Sequence, residues 1–173
     1  VAGFAIDQGA QVIRIPVLTH EWEKDPEYMT HLHNVVTYIT EVRGQYAIID
    51  YHFKQNFTHE TDAEMFEFWH VVAHKYKENP RVIFEIANEP RYPHNMDWPE
   101  YNKMDKQVAW GILQQGMQPV VDRIRSIAHN LIIFPCPSYS SELWPVAIDP
   151  VLGDNIAYSF HCYHGKSKRE VPD

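Results

Sequence analysis

The stretch VIFEIANEP, residues 82–90, is composed for burial, yet it carries Glu85 in its middle and closes on Asn88-Glu89-Pro90. Its β-branched and aromatic residues predict a strand that ends where the proline begins. A buried carboxylate is costly unless it is paired, hydrogen-bonded or neutral. Either the strand reading fails, or these two glutamates mark a site. Four similar runs surround the stretch: QVIRIPV (11–17), YAIIDYH (46–52), LIIFPCP (131–137) and IAYSFHC (156–162). Between them the periodicity predicts helices from Tyr28 to Arg43, from Asp62 to Glu78, and a long one ending near His129. The second carries a capping box, Thr61-x-x-Glu64, and stops at Asn79-Pro80. The third contains Gly116 and Pro119, so a kink or a late start is expected there. Strands alternating with helices predict a parallel sheet covered by helices.

Spacing and polar residues choose between two such architectures. Arg14 to His52 is 38 residues, His52 to Glu89 is 37, and Glu89 to His161 is 72 with one further strand between. A unit of that size fits either an eight-stranded (β/α)8 barrel or an open doubly wound sheet. The 173 residues favour the open sheet by length alone, since a barrel takes ~250. With only seven glycines and no Gly-rich turn after a strand, a dinucleotide or phosphate cradle is unsupported. Instead, Arg14, His52, Asn88 with Glu89, and His161 with Tyr163 sit at the carboxyl ends of successive strands. In a barrel these ends converge on one mouth, where catalytic groups collect. The pattern therefore predicts an α/β fold of the TIM-barrel kind, with about five parallel strands in the chain.

Composition narrows the partners. Fifteen basic against twenty-three acidic residues, a formal net charge of -8, is wrong for binding a phosphate backbone, so no nucleic-acid partner is expected. The basic cluster Lys166, Lys168, Arg169 is short and followed by Glu170 and Asp173, as in a solvated loop. No apolar run approaches the ~18 residues that span a bilayer, so no membrane partner is expected either. The 13% aromatic content suits a sugar-stacking cleft and equally a large core. The two cysteines, Cys136 and Cys162, read as buried free thiols. His31-x-His33 and His70-x-x-x-His74 lie on helices away from the strand ends, without a third ligand, so no metal or other cofactor is expected.

RIPV, DYH, EIANEP and SFHCY, in this order and spacing, resemble glycoside hydrolase family 5, in the large clan of (β/α)8 retaining glycosidases. The resemblance runs from about Gly9-Ala10 to Tyr163, and the Asn-Glu-Pro closing a strand is its most specific element. It implies that Glu89 is the general acid/base and that Asn88 holds the sugar 2-hydroxyl. It implies that His52, His161 and Tyr163 line the subsite where the bond breaks, and that Arg14 positions the nucleophile. In the family the nucleophile is a second glutamate, ending strand 7. By the family's count residues 1–173 form part of a single catalytic domain, covering strands 2 to 6 and lacking strands 1, 7 and 8. The implied activity is endo-acting cleavage of a β-1,4-linked polysaccharide or its oligosaccharides, cellulose or a related β-glucan, outside the cell. β-Mannan and xyloglucan are alternatives, as is a carbohydrate-binding relative without chemistry.

The chemistry explains the residue types. Retaining hydrolysis needs two carboxyl groups about 5–5.5 Å apart, one protonated as acid and one ionised as nucleophile. Burial and neighbouring negative charge keep the acid protonated. Glu85, four residues before Glu89, shares its face of the strand and needs a partner from a neighbouring strand. Arg14 is the nearest candidate, and structural support rather than catalysis is expected of Glu85. Tyr92, Trp98 and Trp144 fall in the loops after two strands, where they would rim the cleft and stack on sugar. Glu142, in the later of these loops, is the next carboxylate in line should another serve.

Overall fold

The computed structural model describes residues 1–18, 22, 25–52, 63–90 and 98–162. Within them the strands are β1 (Val12–Leu18), β2 (Tyr46–His52), β3 (Val82–Glu85), β4 (Ile132–Pro135) and β5 (Ile156–Ser159). They form one sheet in the order β1-β2-β3-β4-β5. All four neighbouring pairs are parallel. The helices are α1 (Ala2–Asp7), α2 (Tyr28–Thr37), α3 (Ala63–Tyr76), α4 (Trp98–Lys103), α5 (Lys106–Arg125) and α6 (Trp144–Ile148).

The pleat sorts the sheet into two faces. Alternate residues Val17, Ile49, Tyr51, Val82, Phe84, Ile132 and Phe134 are buried apolar groups, and in a strand such residues share one side. They meet the apolar stripes of α3 and α5. Trp69 lies 5.6 Å from Phe84, and Trp110 lies 5.6 Å from Phe134 and 6.1 Å from Tyr158, ring centre to centre. The other face carries Arg14, Asp50, His52 and Glu85, with Asp50 directly paired to Glu85 across β2 and β3.

Several boundaries differ from the sequence expectation. The strand run 82–88 ends at Glu85, with one more ladder bond from Ile86 N to Ile133 O (3.1 Å) before the chain bends. The run 131–137 ends at Pro135, and a turn with left-handed residues Ser138–Ser140 follows. The run 156–162 ends at Ser159, and the His161 N–H instead donates to Ser140 O at 2.6 Å. The first long helix is α-helical to Thr37 and closes in a π-helical turn, Tyr38–Val42, where Arg43 N bonds to Tyr38 O. Helix α5 does not start late but runs through Gly116 and Pro119, from Lys106 to Arg125. Asp105 caps it through the N–H groups of Gln107 and Val108. Its stripe of Ala109, Trp110, Leu113, Met117, Val120, Val121 and Ile124 is fully buried. That burial outweighs the ~3 kcal/mol that an interior proline costs. Thr61 of the expected capping box lies outside the described residues, whereas Glu64 is in the first turn of α3.

Candidate active site

The polar residues at the strand ends form two linked clusters. In the first, β1 sends Arg14 between carboxylates on β2 and β3. Arg14 Nε donates to Glu85 Oε2 at 2.5 Å and Nη2 to Glu85 Oε1 at 3.0 Å, a two-pronged pair. Nη2 also lies 3.0 Å from Asp50 Oδ2. The expected partner of Glu85 is therefore in place, and it resolves how a carboxylate 2% exposed is tolerated inside the sheet. A third contact, Arg14 Nη2 to Asn88 Oδ1 at 2.8 Å, fixes the Asn88 side chain. With its oxygen turned to the guanidinium, Asn88 presents its NH2 as donor.

Asp50 is a site residue that the sequence reading missed. It lies in YAIIDYH, and its signal is the one that Glu85 gave: a charge inside an apolar run. Its side chain is fully buried. Oδ2 accepts from His52 Nδ1 at 2.7 Å, while Oδ1 is buried with no hydrogen-bond partner among the described residues. Burial, with the Glu85 charge adding, pushes its pKa up from 3.8 to about 6, against the opposing pull of Arg14 and His52. The bond to Asp50 places a proton on His52 Nδ1, so Nε2 is left as the acceptor of that ring. For Arg14, burial alone would lower the pKa. The bond to Glu85 and the charges of Asp50, Glu85 and Glu89 raise it overall, so it stays cationic.

The second cluster pairs His161 with Glu89. His161 Nδ1 donates to Glu89 Oε1 at 2.7 Å, and both side chains are partly exposed, 20% and 24%. This contact reaches from the chain after β3 to the chain after β5, across the end of β4. Neighbouring strands are about 4.8 Å apart. A flat sheet would hold these segments roughly two spacings from one another. Arg14 meanwhile feels the Glu89 charge from β1. The ends of β1, β2, β3 and β5 thus converge, as in a barrel mouth.

Of the other candidates, Tyr92 and Tyr163 lie outside the described residues, as does the side chain of Trp98, whose backbone opens α4. Trp144 opens α6 after β4 with 45% of its surface exposed. Glu142, just before it, is half-buried. Cys136 is buried and Cys162 is exposed, so only one of the two expected buried thiols is so placed. Cys162 follows β5 rather than sitting inside it, which accounts for its exposure. Burial pushes the Cys136 thiol up to about 12, which leaves it protonated and unreactive. His70 and His74 stack edge to face on α3, 4.6 Å apart. Among the described residues, no helix is long and apolar enough to cross a membrane.

The family model described as cellulase (glycosyl hydrolase family 5) matches residues 2–170. Among curated proteins, an endoglucanase of a Bacillus species is 27% identical over 177 residues, covering 96% of this chain and 18% of the relative. Endoglucanase Z of Dickeya dadantii is 34% identical over 129 residues, covering 72% of this chain and 26% of its own length. Among solved structures, the alkaline cellulase K catalytic domain aligns at a TM-score of 0.77 with 23% identity, over 99% of this chain and 50% of that one. The β-glucanase of Saccharophagus degradans in complex with cellotetraose aligns at 0.75 with 22% identity, over 100% of this chain and 54% of that one. The barrel fold expected from the strand ends is the fold of these structures. The chain spans about half the length of the solved domains and about a fifth to a quarter of the two curated relatives.

Proposed function

Since the chain belongs to the cellulase family, glycosyl hydrolase family 5, we propose that it is part of a retaining, endo-acting β-glycosidase that cleaves β-1,4-linked glucan. The observation that carries this reading is the Glu89–His161 pair at 2.7 Å beside an asparagine whose amide is oriented by Arg14. Glu89 is the general acid/base in this reading. With Oε1 engaged by His161, Oε2 carries the proton that goes to the departing sugar hydroxyl. The Asn88 NH2 donates to the 2-hydroxyl, a bond that strengthens as positive charge builds on the ring. His52, held by Asp50, accepts from a neighbouring sugar hydroxyl through Nε2. Arg14 keeps the nucleophilic carboxylate ionised, and that glutamate is contributed by a strand outside these 173 residues. Water then attacks the glycosyl-enzyme with Glu89 as base, and the anomeric configuration is retained. Residues 1–173 form one piece of this catalytic domain. A polymeric substrate places the work outside the cell, and exposed Trp144 offers a face on which a sugar can stack.

The test uses two substrates in the intact protein. General acid catalysis is worth ~10²–10⁴-fold when the leaving group is poor. Glu89→Ala should therefore nearly abolish cleavage of cellulose oligosaccharides, while a dinitrophenyl glycoside, which leaves unaided, still forms the glycosyl-enzyme. Azide, which needs no base, should release that intermediate as a β-glycosyl azide. Equal losses on both substrates, with no azide product, would remove Glu89 from this role.

A further inference from the structure

Immediately after β4 the chain makes a turn, Pro137–Ser140, whose last three residues are left-handed. Ser138, Tyr139 and Ser140 have φ of 56°, 62° and 55°. Such values are costly for residues with a Cβ, and a run of three persists only where its surroundings hold it. What holds this turn is the site. Tyr139 N donates to Pro90 O at 3.2 Å, and Ser140 Oγ donates to Asn88 O at 2.9 Å. On the other side, Ser140 O accepts from His161 N at 2.6 Å, and Ser140 Oγ lies 3.4 Å from Ser159 Oγ. Ser140 is fully buried.

We propose that Ser140 is the positioning residue of the Glu89–His161 pair. Its hydroxyl holds the segment that carries Glu89, and its carbonyl holds the segment that carries His161. The sheet order requires some such link. Glu89 follows β3 and His161 follows β5, which are not neighbours, and the end of β4 lies between them. The inference rests on the acid/base reading of Glu89 only for its effect on turnover; the geometric part stands without it.

Ser140→Ala deletes the hydroxyl and keeps the carbonyl. In the intact protein it should lower kcat on cellotetraose about tenfold relative to kcat on dinitrophenyl cellobioside, a fraction of the ~10²–10⁴ that an acid supplies. Ser140→Gly also lacks the hydroxyl but adopts positive φ freely, so it should show the same ratio with a higher unfolding midpoint than Ser140→Ala. Ser141→Ala, which removes a bond inside the turn to Ser138 O, should lower stability and leave the ratio alone. Imidazole nitrogen spectra of histidine-labelled protein supply a readout that needs no turnover. Wild type should show His161 as the single tautomer protonated at Nδ1, and both Ser140 variants a mixture. If wild type cleaves neither substrate, the glycosidase reading fails while the spectra still judge this inference. Folded Ser140 variants with unchanged His161 signals, or with equal losses on both substrates, would overturn it.

Discussion

Asp50 makes the stability of this protein fall as pH rises, and the size of the effect follows from its surroundings. Its carboxylate is fully buried, accepts from His52 through Oδ2, which is also ion-paired with Arg14, and has Oδ1 without a partner among the described residues. Burial and the nearby Glu85 push its pKa from the ordinary 3.8 to about 6. The folded state therefore holds this proton where the unfolded chain has lost it. The resulting stabilisation is present in full below pH 3.8 and disappears as pH climbs through about 6. At about 1.4 kcal/mol per pH unit, the gap corresponds to about 3 kcal/mol. Asp50→Asn removes the titration while preserving the shape of the group. Urea denaturation of both proteins between about pH 4 and pH 8, with slopes checked for constancy, should show the difference in unfolding free energy moving by about 2.4 kcal/mol in favour of the asparagine variant, the remainder lying below about pH 4. A pH-independent difference would refute the reasoning. So would a wild type that gains on the variant with rising pH, because Arg14 and His52 would then more than offset the burial of the charge.

Arg14→Met should cost about 3–5 kcal/mol near neutral pH, since Asp50 and Glu85 lose the cation they share; the penalty should shrink on acidification, as read by the same urea titrations. Phe134→Ala, at a buried ring packed against Trp110 and Tyr158, should cost about 3–5 kcal/mol by thermal or chemical unfolding. In native protein a maleimide should label Cys162 and spare Cys136, with the second thiol reacting only in denaturant, as mass spectrometry of peptides would reveal.

The strands were legible in the sequence because each is a short apolar run ended by loop residues, and so was the convergence of Arg14, His52, Glu89 and His161, because strand alternation and spacing constrain where their side chains point. A late start at Gly116 and Pro119 was the wrong alternative, since a local breaker says nothing of the buried stripe on either side of it. The ends of β3, β4 and β5 were read two or three residues too long for a different reason. Ile86, Cys136 and Phe160 are as apolar as the ladder they follow, and the turn comes from hydrogen bonds made by distant residues. The left-handed segment at 138–140 had no local signature at all: serine and tyrosine are not residues that favour positive φ. Asp50 was visible and passed over, although its setting among Ile48, Ile49 and Tyr51 posed the same question as Glu85.

The order β1-β2-β3-β4-β5 has a consequence for synthesis. Every strand pairs with the one made just before it: Val12 with Tyr46, Ala47 with Val82, Phe84 with Ile132, and Ile132 with Ile156. Among the described residues, no strand waits for a partner more than one unit away. At roughly 5–20 residues per second, a ribosome takes seconds to deliver each unit, whereas helices and small loops close within microseconds. The sheet can therefore lengthen from its first strand as the chain emerges, each newly released helix covering the apolar side of the strand before it. In such growth two edges are open to other chains at any moment, that of the first strand and the advancing one, and the residues of the Glu89–His161 pair come together only when β5 arrives.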